Sequence, residues 1–406
     1  MISLQPAGHL YIHIPFCRSR CSYCSFPSVA VETVPEKAYL AALEAEFQYR
    51  LKSWPQAFLP LATLYFGGGT PSLFSPSFYA KIIDMSAQRL GFVSEPEVTL
   101  EANPADISRE KIIGYRVAGI NRISLGVQTF APDGLQLLGR RHDGLMVEKA
   151  VDLLRSEGID NLSLDLIYAW PGQSRAVLNQ DLRKLAALAP EHISAYTLSL
   201  EPETRLAQAV AAGKLQAVAD DVQAEMMQLV EEGLKDAGLQ RYEISSFARH
   251  HQVQARHNLA YWQLHEYLGL GAGACGGWRC RKDFECWDER YCNIPDPFAY
   301  MRRLEQLNSS PPAGGSSSEL WPELWFEKEI IDRKTSFIES LMMGLRLRQG
   351  VGLAGLRDEY GSQTVDAIMP RAQKLRGDGL LDWDENNLWI TEKGMFLSDT
   401  ILSYLL

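Results

Sequence analysis

Three cysteines near the N-terminus have a spacing that suits a metal centre. Cys17, Cys21 and Cys24 are separated by three and two residues in the segment YIHIPFCRSRCSYC. Thiolates are soft ligands that bind iron–sulfur clusters or zinc. A structural zinc site needs four ligands, and the only nearby candidate is His13, which lies in poor register inside a predicted strand. Three thiolates on a [4Fe–4S] cluster leave one iron open for chemistry, and we expect this arrangement.

Further polar or flexible residues stand where predicted strands end. The run Gly67-Gly68-Gly69-Thr70-Pro71 follows the second strand, and glycines let a ligand approach the backbone closely. Glu101 and Gln128 end the third and fourth strands, and Asp165 lies inside the fifth. Each of these alone could equally be a helix cap or a solvated residue. Because a (βα) barrel builds its site from the carboxyl ends of its strands, we expect one shared site.

The elements that carry these residues alternate between β-rich runs and helical patterns over the first 250 residues. The predicted strands are His9–Ile14, Ala62–Phe66, Glu97–Glu101, Arg122–Val127, Leu162–Ile167, His192–Leu198 and Tyr242–Ile244. The predicted helices include Glu36–Leu51, Pro76–Leu90, Arg109–Ala118, Leu145–Glu157 and Asp220–Ala237. Strands separated by helices indicate right-handed βαβ units and a parallel sheet. We therefore predict an α/β fold, a full or partial (βα) barrel, with a doubly wound open sheet as the alternative.

The pattern changes after residue 250. Residues 251–307 form an extension rich in aromatic residues, glycine and cysteine, and His251–Tyr300 is interpreted as irregular. Residues 308–319 read NSSPPAGGSSSE, a composition typical of a flexible linker. Residues 320–406, with a hairpin-like stretch at Leu380–Ile390, have the size and order of a winged-helix-like domain. The wing would be acidic, which argues against DNA binding.

The overall composition excludes several classes of protein. The 406 residues carry 40 basic and 50 acidic side chains, a net charge of −10, which disfavours nucleic acid as a partner. The sequence contains no run of about 18 apolar residues, so no transmembrane helix is predicted. The N-terminal residues lack the pattern of a signal peptide. Seven cysteines are too few for a secreted disulfide scaffold. We therefore expect a cytoplasmic protein.

The cysteine motif resembles that of the radical S-adenosylmethionine (SAM) superfamily. Its hallmark is CxxxCxxC with an aromatic residue before the last cysteine, here Tyr23. The resemblance implies a radical-SAM-type partial (βα) barrel that holds a [4Fe–4S] cluster on the three thiolates. In this family the amino and carboxylate groups of SAM bind the open iron, and an electron from the cluster cleaves the sulfonium.

Within the superfamily the chain is similar to the oxygen-independent coproporphyrinogen III oxidase group. The matching segments are YIHIPFC, GGGTPS, EANP, RISLGVQTF, LGRRH and LDLIYAWPGQ, together with the winged-helix-type tail. The resemblance implies SAM contacts by Tyr11, Gly68 and Glu101. In the oxidases a second SAM molecule lies nearby, and the residues that match its surroundings are Tyr23, Gly69, Thr70, Gln128, Arg140 and Asp165.

Two features separate the chain from the oxidases and resemble the HemW heme-chaperone branch. Phe26 stands where the oxidases have another cysteine, and the oxidases' long extension before the cluster motif is missing. The branch also carries an HNxxYW motif, matched by His257 to Trp262. The resemblance implies heme as a ligand and a heme-acceptor protein as partner, and leaves room for a flavodoxin- or ferredoxin-type electron donor. Coproporphyrinogen oxidase activity is not expected, and no catalytic residue is assigned. The alternative is a radical enzyme that acts on a tetrapyrrole.

Two parts of the chain offer ligands for heme iron. His257 is the candidate in the HNxxYW motif, with Tyr261 and Trp262 available to pack on the porphyrin. The rival is Cys275, which stands where the relatives have histidine. Cys275, Cys280, Cys286 and Cys292 could also bind zinc or a second cluster, but their spacing matches no common zinc motif. We therefore expect these four to be free or partly buried thiols.

Overall fold

A computed structural model describes residues 8–53, 59–283, 286–309 and 325–406. The strands in chain order are β1 (Gly8–Ile14), β2 (Phe16–Cys17), β3 (Val29–Ala30), β4 (Leu61–Gly68), β5 (Phe92–Ala102), β6 (Arg122–Gln128), β7 (Asn161–Tyr168), β8 (His192–Thr197), β9 (Gln240–Arg241), β10 (Ser246–Ala248), β11 (Leu268–Leu270), β12 (Cys275–Asp283), β13 (Cys286–Asn293), β14 (Trp325–Ile331), β15 (Val351–Gly352), β16 (Leu381–Trp383) and β17 (Asn387–Ile390). The helices are α1 (Glu36–Ser53), α2 (Pro76–Arg89), α3 (Arg109–Ala118), α4 (Pro132–Leu138), α5 (Gly144–Ser156), α6 (Arg175–Ala187), α7 (Arg205–Ala211), α8 (Asp220–Asp236), α9 (Arg256–Trp262), α10 (Pro297–Ser309), α11 (Arg333–Gly344), α12 (Leu353–Tyr360), α13 (Ser362–Asp366), α14 (Met369–Gly377), α15 (Glu392–Met395) and α16 (Ser398–Leu405).

The central sheet has the strand order β11-β1-β4-β5-β6-β7-β8-β10-β9 and is parallel from β11 to β8. Helices follow its strands, as βαβ connection requires. The expected α/β fold and partial (βα) barrel are confirmed. The first six predicted strands agree with β1 and β4 to β8, because each is a short apolar run that is buried in the sheet.

The end of the sheet differs from the prediction in two ways. Tyr242–Ile244 is not a strand, since it is the connection between β9 and β10, and β10 pairs antiparallel with β8. The prediction that His251–Tyr300 is irregular is also wrong, because this region contains α9, β11, β12 and β13. Leu268 and Leu270 of β11 are buried against β1. This pairing joins segments more than 250 residues apart, so no local pattern could reveal it.

A second sheet connects the extension with the C-terminal part of the chain. Its order is β12-β13-β14, so residues after the predicted linker return to pair with β13. The first two residues of that linker end α10, and residues 310–319 lie outside the described part of the chain. The unit predicted to begin at residue 320 therefore gives β14 to the sheet of the extension.

The C-terminal winged-helix-like unit packs α11 to α16 around the small sheet β15-β17-β16. The expected hairpin is confirmed as β16 and β17. Its core contains Leu341, Val365 and Leu388, all fully buried. No helix in the described ranges is both long and apolar enough to cross a membrane.

Candidate functional site

The three predicted thiolates lie together at the carboxyl end of the sheet. Cys17 ends β2 and is buried, whereas Cys21 and Cys24 lie on the following loop and are partly exposed. All three are free and line one cavity of about 1050 Å³, here called the barrel cavity. Burial raises the pKa of the Cys17 and Cys24 thiols. Such thiols need a metal or hydrogen-bond donors to ionise.

Donors to two of these sulfurs are present. The Thr70 hydroxyl donates to the Cys17 sulfur at 3.4 Å, and Arg140 Nη1 donates to the Cys21 sulfur at 3.5 Å. Among the described residues, no three Cys, His, Asp or Glu side chains converge as they would around a single metal ion. A cubane cluster does not require such convergence, because each thiolate binds a different iron. The donor set therefore fits a [4Fe–4S] cluster.

The glycine loop packs on the strand that leads to the cysteines. Gly69 and Thr70 donate their backbone N–H groups to Ile14 and Phe16 at 2.8 and 2.9 Å. Gly68 has a φ of +113°, and a Cβ there would lie 2.5 Å from the His13 ring. A side chain would thus strain the loop and clash with β1. The packing of the loop itself therefore requires glycine at position 68. This reason is separate from the close approach of a ligand that the sequence predicts.

Two carboxyl groups, from β5 and β7, line the barrel cavity on either side of β6. Glu101 accepts hydrogen bonds from the Tyr65 hydroxyl at 2.8 Å and the Gly68 N–H at 3.1 Å. Asp165 accepts from the Ser124 hydroxyl at 3.0 Å. Burial raises the pKa of Glu101 to about 7 and that of Asp165 to about 6. Both groups can therefore change protonation near neutral pH.

Arg140 brings a positive charge to the same cavity. Its guanidinium donates to the Gly126 carbonyl at 2.9 Å and to the Asn103 side chain, as well as to Cys21. Its buried Nε has no hydrogen-bond partner among the described residues. Gln128, with a left-handed φ of 66°, and Tyr23 also line the cavity. A largely satisfied guanidinium in the lining gives the cavity a fixed positive charge, which suits a polar ligand.

Tyr11 and His257 do not line the barrel cavity. The Tyr11 hydroxyl pairs with His13 Nδ1 at 2.9 Å, and its ring packs on Tyr65. His257 is buried, with Nδ1 2.7 Å from Thr63 Oγ1 and Nε2 2.9 Å from the Tyr261 hydroxyl. Both of its nitrogens are therefore engaged, so the structure does not present His257 as a ligand for heme iron. Heme ligation by His257 stays a prediction, and it would require one of these two hydrogen bonds to be replaced.

Two of the later cysteines form a disulfide. Cys275 and Cys292 lie opposite each other on the antiparallel strands β12 and β13, and their sulfurs are bonded. The expectation of free thiols is wrong for this pair, and Cys275 is not a free axial thiolate. The sequence pattern could not show the pairing because it depends on strand register. The side chains of Cys280 and Cys286 lie outside the described residues.

A second cavity, of about 580 Å³, adjoins the first. We call it the aromatic cavity, because Tyr261, Trp262, Tyr267 and Trp278 line it. Residues from α9, β12, β13 and α11 form its walls. Tyr196 and Asn258 line both cavities. The HNxxYW motif thus lies between the two cavities, with its tyrosine and tryptophan facing the aromatic one.

A chain of hydrogen-bonded side chains runs behind the aromatic cavity. His265 Nδ1 lies 3.2 Å from His9 Nε2, and His9 Nδ1 lies 2.9 Å from Thr63 Oγ1. Thr63 continues to His257 and Tyr261 through the bonds given above. Burial lowers the pKa of His9 to about 4 and that of His257 well below its usual value. Each imidazole in this buried part therefore has one donor and one acceptor nitrogen.

Several residues that build these sites were not among those predicted from the sequence. Tyr65 holds Glu101, Ser124 holds Asp165, and Asn103 holds Arg140. His265 lines the aromatic cavity and was not singled out. Asn103 follows Glu101 by two positions, so the EANP segment carried a signal for it. His265 had no such signal, since it stands outside any motif.

Comparison with known proteins identifies both parts of the chain. Residues 11–185 match the radical SAM superfamily, and residues 331–397 match the HemN C-terminal domain. A heme chaperone HemW from Lactococcus lactis is 31% identical over 98% of this chain and 97% of its own length. The mitochondrial radical S-adenosyl methionine domain-containing protein 1 of Danio rerio is 31% identical over 98% of this chain and 86% of its own.

A solved structure extends the match to the fold. The coproporphyrinogen III oxidase HemN from Escherichia coli, described as a radical SAM enzyme, superposes with a TM-score of 0.78. The alignment covers 99% of this chain and 90% of that one, at 20% sequence identity. At this identity the likeness concerns the fold alone.

Proposed function

Because the chain belongs to the radical SAM superfamily and, within it, to the HemW family, we propose that it is a heme chaperone. It would bind heme and transfer it to an acceptor protein. The observation that carries the proposal is similarity to HemW relatives over nearly the full length of both chains. The adjoining polar and aromatic cavities support it, since they offer separate places for SAM and for a large apolar ligand.

We propose that Cys17, Cys21 and Cys24 hold a [4Fe–4S] cluster whose open iron takes an exchangeable SAM molecule. When bound, the cluster supplies that coordination site and an electron that can cleave the sulfonium. The protein holds the thiolates through Thr70 and Arg140, whose donors favour the anionic sulfur. The barrel cavity around them, of about 1050 Å³, is slightly larger than the usual range for ligand pockets, roughly 300–1,000 Å³.

The polar residues of the barrel cavity have complementary tasks in this proposal. Glu101, held by Tyr65 and the Gly68 backbone, is positioned to orient SAM beside the glycine loop. Tyr23, Gly69, Thr70, Gln128, Arg140 and Asp165 surround the remaining volume, where the oxidase group has a second SAM. Tyr11 supports this wall from behind through its ring contact with Tyr65.

The finer parts of the proposal concern partners and location. We propose that the heme acceptor is another protein, that reduction comes from a flavodoxin- or ferredoxin-type donor, and that the protein acts in the cytoplasm. Cluster and SAM would act as a trigger for heme transfer. In this role the radical chemistry serves the chaperone, and no net conversion of coproporphyrinogen III is expected.

The test compares heme binding with oxidase activity in one anaerobically reconstituted preparation. Hemin titration should saturate at one equivalent, and coproporphyrinogen III with SAM and reductant should yield product only at background. Heme release to excess apomyoglobin should be faster with cluster, SAM and reductant than in Cys24→Ala. Absence of hemin binding together with catalytic turnover would instead assign the protein to the radical enzymes that act on tetrapyrroles.

A further inference from the structure

The aromatic cavity has the size and lining of a site for a flat apolar ligand. The rings of Tyr261, Trp262, Tyr267 and Trp278 line it, and the Met343 side chain of α11 completes the apolar surface. Its volume of about 580 Å³ lies within the range of ligand pockets. Aromatic side chains bury large areas and pack well against planar rings. The lining therefore suits a macrocycle better than a small polar metabolite.

His265 is the imidazole that this cavity exposes. The left-handed Leu264, with φ of 52°, turns the chain after α9, and the His265 N–H donates to the Ala260 carbonyl at 2.8 Å. Its Nδ1 is held by His9 Nε2. No hydrogen bond to its Nε2 occurs within the described part of the chain, and the residue is exposed. A histidine that binds a metal usually donates its other ring N–H to an acceptor, and His9 Nε2 can be that acceptor here.

The hydrogen-bond chain behind His265 can be ordered so that Nε2 carries a lone pair. In that order His265 Nδ1–H donates to His9, and His9 Nδ1–H donates to Thr63. Thr63 then donates to His257, and His257 Nε2–H donates to the Tyr261 hydroxyl. Every donor in this series meets an acceptor. The reversed order would put a proton on His265 Nε2. Binding of a metal at this nitrogen therefore selects the first order for the whole series of hydrogen bonds.

We propose that the aromatic cavity is the heme site and that His265, through Nε2, is the axial ligand of the heme iron. This inference rests on the proposed heme-chaperone function and specifies where the heme lies. It also explains the HNxxYW motif differently: His257 is a positioning residue that acts through Thr63 and His9, and Tyr261 and Trp262 contact the porphyrin.

The cavity lining carries charged residues of both signs, with carboxyl groups from Glu243, Glu266, Asp288, Glu289 and Glu339. Two arginines are the groups that the carboxylates of heme would contact. Arg279 and Arg290 line the cavity, each paired with glutamates: Arg279 with Glu359, and Arg290 with Glu329 and Glu339. Because Glu339 and Met343 lie on α11, the C-terminal unit forms part of the wall. The shared lining of Tyr196 and Asn258 would bring the heme beside the barrel cavity.

The test is a hemin titration of the full-length, cluster-loaded protein with three single variants. His265→Gly should weaken hemin binding more than about tenfold and abolish the imidazole-type ferric spectrum. Added imidazole should restore that spectrum. His257→Ala should weaken binding but keep the spectral type, because the ligand itself remains. His251→Ala, an exposed histidine outside the cavity, is the matched control and should behave as wild type. Iron content and SAM binding report whether each variant is folded.

The outcomes separate this inference from the function it rests on. If wild type does not bind hemin, the proposed function fails. If wild type binds hemin and His265→Gly keeps both affinity and spectrum, the axial assignment is overturned and the chaperone proposal stands. Should His265→Gly lose iron and SAM binding as well, His265→Met decides: a thioether-type spectrum supports the assignment, and an unchanged imidazole spectrum refutes it.

Discussion

A buried ion pair attaches the extension at residues 251–307 to the barrel, and its removal should lower the stability of the protein. Glu46 and Arg50 of α1 are 0% and 1% exposed, with Arg50 Nη2 2.8 Å from Glu46 Oε1. The same carboxylate accepts from the Asn293 amide at 2.7 Å, the Gly271 N–H at 2.8 Å and the Tyr300 hydroxyl at 2.6 Å. Segments from β11 to α10 are thus anchored on one charge of α1.

We expect Arg50→Met to lower the free energy of unfolding by about 3–5 kcal/mol, because it leaves the Glu46 carboxylate buried without a counter-charge. The three neutral donors remain and should keep the loss near the lower end. Arg50 also lies 3.7 Å above the Tyr291 ring, a contact that methionine only partly replaces. Adding Glu46→Gln removes the unpaired charge and keeps an acceptor, so the double variant should be more stable than Arg50→Met by about 1–2 kcal/mol.

The assay is urea denaturation of the cluster-free protein, followed by tryptophan fluorescence. Arg357→Met provides the matched control, because the Arg357–Asp366 pair is exposed and its loss should cost less than about 1 kcal/mol. If Arg50→Met costs no more than this control, the buried charge does not carry the attachment. If the double variant loses as much free energy of unfolding as Arg50→Met and Glu46→Gln lose together as single variants, charge compensation is not the reason for the pairing.

Three further predictions concern the barrel cavity. Alanine at any of the three thiolate positions should remove about four iron atoms per chain and the visible absorption of the cluster. The control Cys292→Ser should keep both. A full cluster in an alanine variant would contradict the ligand assignment. The alanine variants are Cys17→Ala, Cys21→Ala and Cys24→Ala. Gly68→Val should weaken SAM binding more than about tenfold in equilibrium dialysis and keep the iron, because of its φ and the nearby His13 ring; equal loss of iron would assign the loop to the cluster instead. Burial raises the pKa of Glu101 from 4.5 to about 7, so between these pH values the folded apoprotein binds more protons than the unfolded chain. The free energy of unfolding should therefore fall as the pH rises through this interval. Glu101→Gln should flatten this pH dependence in urea denaturation, and an unchanged slope would refute the prediction.

The amino-acid sequence by itself determined the elements whose pattern is local. The three spaced cysteines and the glycine run are contiguous motifs that can be read directly from the sequence. The apolar runs predict six strands, β1 and β4 to β8, and the site lies at the ends of these strands. The polar residues at those strand ends meet in one cavity because parallel strands present their carboxyl ends at the same edge. A shared site that includes Glu101 and Asp165 could therefore be predicted without coordinates.

Only the tertiary structure decided the placement of residues whose partners are distant in the chain. His257 and Thr63 are 194 positions apart, and their hydrogen bond turns a motif histidine inward. His9 and His265 are 256 positions apart, and their contact orients an imidazole that belongs to no motif. Cys275 and Cys292 pair through strand register. Whether a polar side chain is a free ligand or a satisfied buried group depends on which distant atoms surround it, and that is a property of packing.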